Sequence, residues 1–333
     1  MQAAQLLKYG KNFKLVLKDI QIPTPTEDEI LVKVKAAAVN PLENLIGTGY
    51  VKLMQNYSLP LTMGNELSGV VKSIGKNVKG FEIGDEVYSR LPLDKIGAFA
   101  EYVVIDYRAV AMKPVGLDFV HSAAVPLTGL TAYQGLTEEL EAQPGQSVMI
   151  PGGSGSFGQM AIPIAKEMGL RVMVSGNARS KQSAVDMGVE QYFDYRKQNY
   201  WEHLEPVNYV IDTVGNKELE HELQVLKPNG RLLSLIMLPN RQFAKDHHMP
   251  FWKTALFTIA GSGIDRKAKQ ANASYRFIFV RSDGEQLKQI TKIVEKNNIE
   301  PAVDPIEFKL SDVNKALDYV ANGHPKGKVV IRF

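Results

Sequence analysis

The chain contains no cysteine. Disulfides, thiolate zinc sites, iron–sulfur clusters and a cysteine nucleophile are all excluded by that one absence. It also lacks a block of like charge. Lys and Arg number 39 against 36 Asp and Glu, a formal net charge of +3. So small an excess, with no Lys/Arg run, gives no footing for nucleic acid. No apolar run approaches the ~18 residues that cross a bilayer, so no membrane association is expected. Met1-Gln2-Ala3-Ala4-Gln5 lacks the charged lead-in of a signal peptide. A cytoplasmic protein is the expectation. Repeats and low-complexity tracts are missing too, and 333 residues argue for two domains rather than one.

What is present is a glycine-rich stretch, Ile150-Pro151-Gly152-Gly153-Ser154-Gly155-Ser156-Phe157-Gly158. It contains G-x-G-x-x-G at Gly153, Gly155 and Gly158. An apolar run, Val148 to Ile150, precedes it and a helix-like stretch, Gln159 to Met168, follows. Strand, glycine turn and helix in that order make a dinucleotide site. Gly153 is expected to turn the chain, Gly155 to admit a pyrophosphate and Gly158 to allow close packing. Backbone N–H groups of Ser156 and Phe157, at the helix N-terminus, face the phosphates. Pro163, inside that helix, predicts a kink.

Texture along the chain divides it. Up to about residue 122, short β-type runs broken by glycine and proline (Ile30–Val39, Ser68–Ile74, Glu86–Tyr88, Phe99–Ile105) predict a curled, barrel-like β domain. Residues 123–262 alternate strand-like and helix-like segments, the pattern of a parallel sheet with crossover helices. From 263 the texture changes again. A helix-like piece, Glu285–Asn297, leads to Gly327-Lys328-Val329-Val330-Ile331, a tail expected to complete the first domain. An apolar sixth strand is predicted near Phe257-Thr258-Ile259.

The window after the second strand discriminates between nucleotides. NAD-binding versions place an acid about 20 residues beyond the glycines to hold the ribose 2′-hydroxyl. Here the window reads Val174-Ser175-Gly176-Asn177-Ala178-Arg179-Ser180-Lys181, with no acid and two cations. Arg179 and Lys181 would attract a 2′-phosphate, with Ser175, Gly176 and Asn177 as small neighbours, so NADPH is expected over NADH.

Several segments together resemble the medium-chain dehydrogenases/reductases. These are Gly64-Asn65-Glu66-Leu67-Ser68-Gly69-Val70-Val71, Gly84-Asp85-Glu86-Val87, Ala124-Val125-Pro126-Leu127-Thr128-Gly129, Asp212-Thr213-Val214-Gly215 and Gly327-Lys328-Val329-Val330. The resemblance runs the length of the chain in the right order. It implies an α/β fold, a Rossmann doubly wound parallel sheet over 123–262 plus a GroES-like curled β-barrel catalytic domain over 1–122 and 263–333. The family's zinc alcohol dehydrogenases ligate metal through Cys and His. The corresponding positions here are Asn40 and Asn65, and amides are poor zinc ligands. The four-cysteine lobe is absent as well. The resemblance is therefore to the zinc-free branch, the NADPH quinone oxidoreductases and 2-alkenal or 2-enoyl reductases.

That resemblance implies site residues. Asn40 would lie beside the nicotinamide. Tyr50, with Tyr57 as fallback, would position a carbonyl or donate a proton, and Thr131 would offer a hydroxyl. Tyr195 would lie near the adenine phosphate, Val214 and Leu235 at the carboxyl edge of the sheet, and Phe279 over the nicotinamide. Glu66 is read as a structural carboxylate that binds backbone N–H groups, and His247-His248 as solvated rather than metal-binding. The expected reaction is hydride transfer from NADPH to a quinone or an α,β-unsaturated carbonyl compound without metal, with the oxyanion held by Asn40, Tyr50 or backbone donors. Two alternatives stand beside it. A 2-enoyl-thioester reductase would use Lys245, Lys253, Arg266, Lys267 and Lys269 for a phosphopantetheine or CoA tail. An NADPH-binding sensor or structural protein would have the fold without turnover. A homodimer is expected, with the predicted sixth strand pairing across a two-fold.

Overall fold

The structure, a computed structural model, describes all residues from Met1 to Phe333. The chain divides into two compact units, residues 1–130 with 281–333 and residues 131–280.

Strands dominate the start of the first unit. β1 (Gln2–Leu6) pairs with β2 (Leu15–Asp19). β3 (Glu29–Val39) is followed at once by α1 (Pro41–Thr48), then β4 (Leu61–Thr62), β5 (Glu66–Ile74), β6 (Glu86–Arg90), β7 (Tyr102–Asp106) and β8 (Val110–Met112). The short helix α2 (Phe119–Ala123) follows, and α3 (Pro126–Gln134) runs across the division at residue 130. β3 carries the architecture. It pairs with β5 and β7, and its register with β5 shifts twice, the irregularity that bends a strand into a barrel wall. Val32 and Val34 alternate with half-buried Lys33 and Lys35, but from Ala36 to Val39 both faces are covered. Ala36 and Ala38 pack on Val120, Ala123 and Val330, while Ala37 and Val39 join the main core. The residue after such a strand is delivered into a closed interior, and that residue is Asn40.

The second unit is built on β9 (Ser147–Ile150), α4 (Ser156–Glu167), β10 (Arg171–Gly176), α5 (Lys181–Asp186), β11 (Gln191–Asp194), α6 (Tyr200–His203), β12 (Val207–Asp212), α7 (Leu219–Gln224), β13 (Leu226–Ser234), α8 (Arg241–Asp246), α9 (Phe251–Gln270) and β14 (Ser274–Phe277). The six strands lie in the order β11-β10-β9-β12-β13-β14, all parallel. All four residues of β9 are buried, as a sheet covered on both faces requires. The order reverses between β9 and β12, and ligands of such sheets bind outside the carboxyl ends at that point. α4 runs unbroken through buried Pro163.

The remainder returns to the first unit through α10 (Gly284–Lys296), β15 (Phe308–Lys309), α11 (Val313–Asn322) and β16 (Val329–Arg332). β16 pairs antiparallel with β3, Val329 opposite Val39, so the tail completes the first sheet as its sequence suggested.

Two expectations are corrected. Phe257-Thr258-Ile259 is not a strand but lies within α9. Its buried residues Phe257, Gly261, Ile264 and Ala268 recur every three or four positions, a helical period that outweighs three β-prone residues. The sixth strand is β14 instead. The expected domain limit at 262/263 therefore falls inside α9, and residues 263–280 belong to the second unit. No helix is long and apolar enough to cross a membrane.

Candidate active site

In the first unit a polar cluster lies buried. Asn40 is the N-cap of α1 and is buried. Its Nδ2 donates to Glu66 Oε1 at 2.9 Å, and its Oδ1 accepts the Lys328 ammonium at 2.6 Å. Lys328 also meets Glu66 Oε1 at 2.8 Å. Amide, carboxylate and ammonium thus close a triangle, with all three residues buried. Glu66 Oε2 accepts the backbone N–H of Leu127 at 2.6 Å, the structural use expected of that carboxylate. The amide orientation of Asn40 is fixed by its two partners, and one N–H of its Nδ2 is left for another acceptor.

A second buried carboxyl lies alongside. Glu43 accepts from Asn40 N at 2.7 Å and from Asn65 N and Nδ2 at 3.1 and 2.7 Å. Burial pushes its pKa up to about 7, against the pull of those donors. Arg90 is buried with them. Its Nη1 donates to the Leu91 carbonyl, while its Nε and Nη2 and the Asn65 Oδ1 find no partner in the protein. Burial lowers the Arg90 pKa, and the nearby Tyr57, Glu43 and Glu66 hold it up. Burial likewise pushes the Tyr57 phenol up to about 12, with Arg90 opposing. The two tyrosines expected here differ sharply. Tyr57 is buried, whereas Tyr50, after the left-handed Gly49 at φ 82°, is 61% exposed.

In the second unit the glycine loop has the geometry of a phosphate cradle. The left-handed residue is Gly152, at φ 69°, so the tight turn belongs to it rather than to Gly153. A Cβ on Gly153 would meet the Ile150 carbonyl at 2.9 Å, and one on Gly158 would meet the Gly153 carbonyl at 1.8 Å. On Gly155 the nearest atom would be 4.0 Å away, leaving open space where a pyrophosphate would approach. Gly155 is also the N-cap of α4 and supplies no capping side chain. The first-turn N–H groups of Ser156 and Phe157 therefore remain for an anion.

The neighbouring expectations, Thr131 on α3 apart, follow the carboxyl ends of the strands. Ser175 Oγ accepts the Gly152 N–H at 3.3 Å, a tie within the loop. Gly176 ends β10 and accepts the Tyr195 N–H at 3.2 Å. Asn177 Nδ2 donates to Ser154 Oγ at 3.3 Å and its Oδ1 accepts from Ser180 N at 3.1 Å. Arg179 and Lys181 are exposed, and no acid pairs with either. Tyr195 is exposed and Val214 half-exposed, while Leu235, Phe279 and Thr131 (on α3) are half-buried. Of the cations considered for an acyl-carrier tail, Lys267 pairs with Glu220 at 2.8 Å and Lys253 lies over the Trp252 ring.

Sequence reasoning missed Lys328, Glu43 and Arg90. Lys328 stood in a segment read only as a fold marker, and Glu43 and Arg90 look like surface charges. Only the spacing Asn40-x-x-Glu43, an N-cap with an acid three residues on, offered a signal, that of a capping box.

Comparisons with known proteins follow this geometry. A family profile described as alcohol dehydrogenase GroES-like domain matches residues 26–115, and one described as zinc-binding dehydrogenase matches 187–331. The 2-methylene-furan-3-one reductase of Solanum lycopersicum is 30% identical, over 99% of this chain and 79% of its own length. The chloroplastic NADPH-dependent alkenal/one oxidoreductase of Arabidopsis thaliana is 28% identical, over 94% and 74%. The quinone oxidoreductase of Coxiella burnetii superposes with a TM-score of 0.81 at 27% identity, covering 100% of this chain and 99% of that one.

Proposed function

Because the chain belongs to the quinone oxidoreductase-like branch of the medium-chain dehydrogenases/reductases, we propose that it is an NADPH-dependent reductase of quinones or α,β-unsaturated carbonyl compounds. The observations that carry this reading are the open glycine loop at the N-terminus of α4 and the buried Asn40–Glu66–Lys328 cluster. When bound, NADPH supplies the hydride, which goes to a quinone or to the β-carbon of an enone. Ser156 and Phe157 N–H groups hold its pyrophosphate, and Arg179 and Lys181, free of acidic partners, hold the 2′-phosphate. Gly176, Asn177 and Tyr195 flank the adenosine half, and Val214, Leu235, Phe279 and Thr131 the nicotinamide half.

In the first unit the remaining Asn40 N–H serves as a donor to developing negative charge on the substrate oxygen, and exposed Tyr50 delivers the proton. We read the site as zinc-free. The positions that carry Cys and His in zinc enzymes are Asn40 and Asn65, and the Lys328 ammonium already occupies Asn40 Oδ1 and Glu66. A dication would be repelled there. A conjugated acceptor needs no such Lewis acid.

The partner we propose is a second copy of this chain. On α9 Phe251 and Ile259 are 88% and 76% exposed, and Trp252 and Leu256 continue the same face. Residues 251–264 carry a single charge, Lys253, so two copies meet with little repulsion. β14, beside α9, is an open edge of the sheet.

The test follows NADPH oxidation with benzoquinone, an enal and crotonyl-CoA, for the wild type and Arg179→Ala. Turnover with the first or second, and a loss of roughly tenfold in kcat/KM for NADPH but not NADH in Arg179→Ala, are expected. NADPH binding without oxidation by any acceptor would leave a sensor. Turnover with crotonyl-CoA alone would make it an enoyl-thioester reductase.

A further inference from the structure

Three acids converge beneath the carboxyl edge of the second unit. Asp212 ends β12. Its Oδ1 accepts the N–H groups of Val214 and Gly215 at 2.8 and 2.6 Å, and its Oδ2 accepts the Ser234 hydroxyl at 2.6 Å. Ser234 Oγ in turn accepts the N–H groups of Ile236 and Met237 at 3.2 and 2.9 Å. One carboxylate therefore holds the turns that leave both β12 and β13, and Val214 and Leu235 sit on those turns.

Glu222, on α7, is fully buried. No N–H or O–H donor of the protein reaches either of its oxygens, and the charged group that bears on it most strongly is the Asp212 carboxyl. Two buried carboxylates repel, whereas a carboxylic acid and a carboxylate can bind through one proton. Nothing cationic intervenes. Glu218 accepts the Tyr200 hydroxyl at 3.4 Å and faces His221 Nδ1 at 3.5 Å. The Tyr275 hydroxyl donates to the Leu238 carbonyl at 2.7 Å. Lys267, from α9, is spent on the outward-facing Glu220. Burial, then Asp212 and Glu218, push the Glu222 pKa up to about 10.

We propose that Glu222 is held as the neutral acid and shares its proton with Asp212, making it a positioning residue for the turns that carry Val214 and Leu235. This rests on the reading that NADPH lies along that edge. The sign of the pH effect follows. From its ordinary value of 4.5 up to about 10 the folded protein keeps a proton that the unfolded chain has lost. Stability therefore falls as pH rises through that window, and Glu222→Gln, neutral at every pH, removes that slope.

Two measurements decide the matter. Near pH 8.5, well above the ordinary carboxylate range, infrared spectra of the wild type should show a protonated-carboxyl C=O band that Glu222→Gln lacks. NADPH titration should give Glu222→Gln an affinity within about threefold of wild type, while Glu222→Leu, which removes the carboxyl proton offered to Asp212, weakens by about tenfold. Above pH 10 the wild type, but not Glu222→Gln, should weaken. A missing band, or one that persists in Glu222→Gln, overturns the shared proton. Equal affinities in all three proteins overturn the positioning role. A wild type that binds no NADPH refutes the cofactor reading and the positioning role with it, and the infrared band still decides the proton.

Discussion

Lys328, Glu66 and Asn40 form a unit whose members are stable only together. A buried ion pair gains little over apolar residues of the same volume, but removing one partner strands the other charge at a cost of about 3–5 kcal/mol. Lys328→Met should therefore lower Tm by at least roughly 6 °C, because it leaves the Glu66 carboxylate with only Asn40 and the Leu127 N–H. Adding Glu66→Gln to Lys328→Met should recover part of that loss, since the stranded charge is gone. A double substitution that melts lower than Lys328→Met by the full effect of Glu66→Gln alone would show that the two side chains are not coupled. The sequence displayed each of these residues yet not their meeting. Asn40 and Glu66 were legible because they occupy motif positions. Lys328 lies 288 residues from Asn40, and a bond of that span leaves no local pattern.

Among the elements, the β9–α4 turn is the one most fully determined by local sequence. Two glycines in it have separable tasks. A methyl group on Gly158 collides with the Gly153 carbonyl, at 1.8 Å, so Gly158→Ala must displace the loop and should melt several degrees lower. On Gly155 the same methyl enters open space, its nearest neighbour 4.0 Å off. Gly155→Ala should keep the wild-type Tm within about 2 °C and weaken NADPH by tenfold or more, because it fills the approach of the pyrophosphate. Thermal melts paired with NADPH titrations check both, and a Gly155→Ala protein that binds NADPH normally removes the cradle assignment. α9 shows the opposite case. Phe257-Thr258-Ile259 has strand-like composition, but the register of Phe257, Gly261, Ile264 and Ala268 against the sheet makes it helix. Three residues are too short a window for either period to declare itself.

For the whole molecule the open question is assembly. If α9 meets its copy, Ile259→Asp should convert a dimer to a monomer at tens of micromolar, because it places an unpaired carboxylate in a desolvated apolar contact. Light scattering after gel filtration reads the mass directly, and a wild type of 36.9 kDa at that concentration would dismiss the dimer outright. The composition excluded what the chain cannot do. Its motifs and alternating periods supplied two kinds of domain, a parallel sheet with crossover helices, the glycine loop and the choice of NADPH. Those are local properties, written in spacings of a few residues. What only the tertiary structure decided was the company each charge keeps: the ammonium over Asn40, the orphaned donors of Arg90 and the buried Glu222 that no donor reaches. Such pairings depend on burial and on contacts between distant segments, and both arise only when the chain is folded.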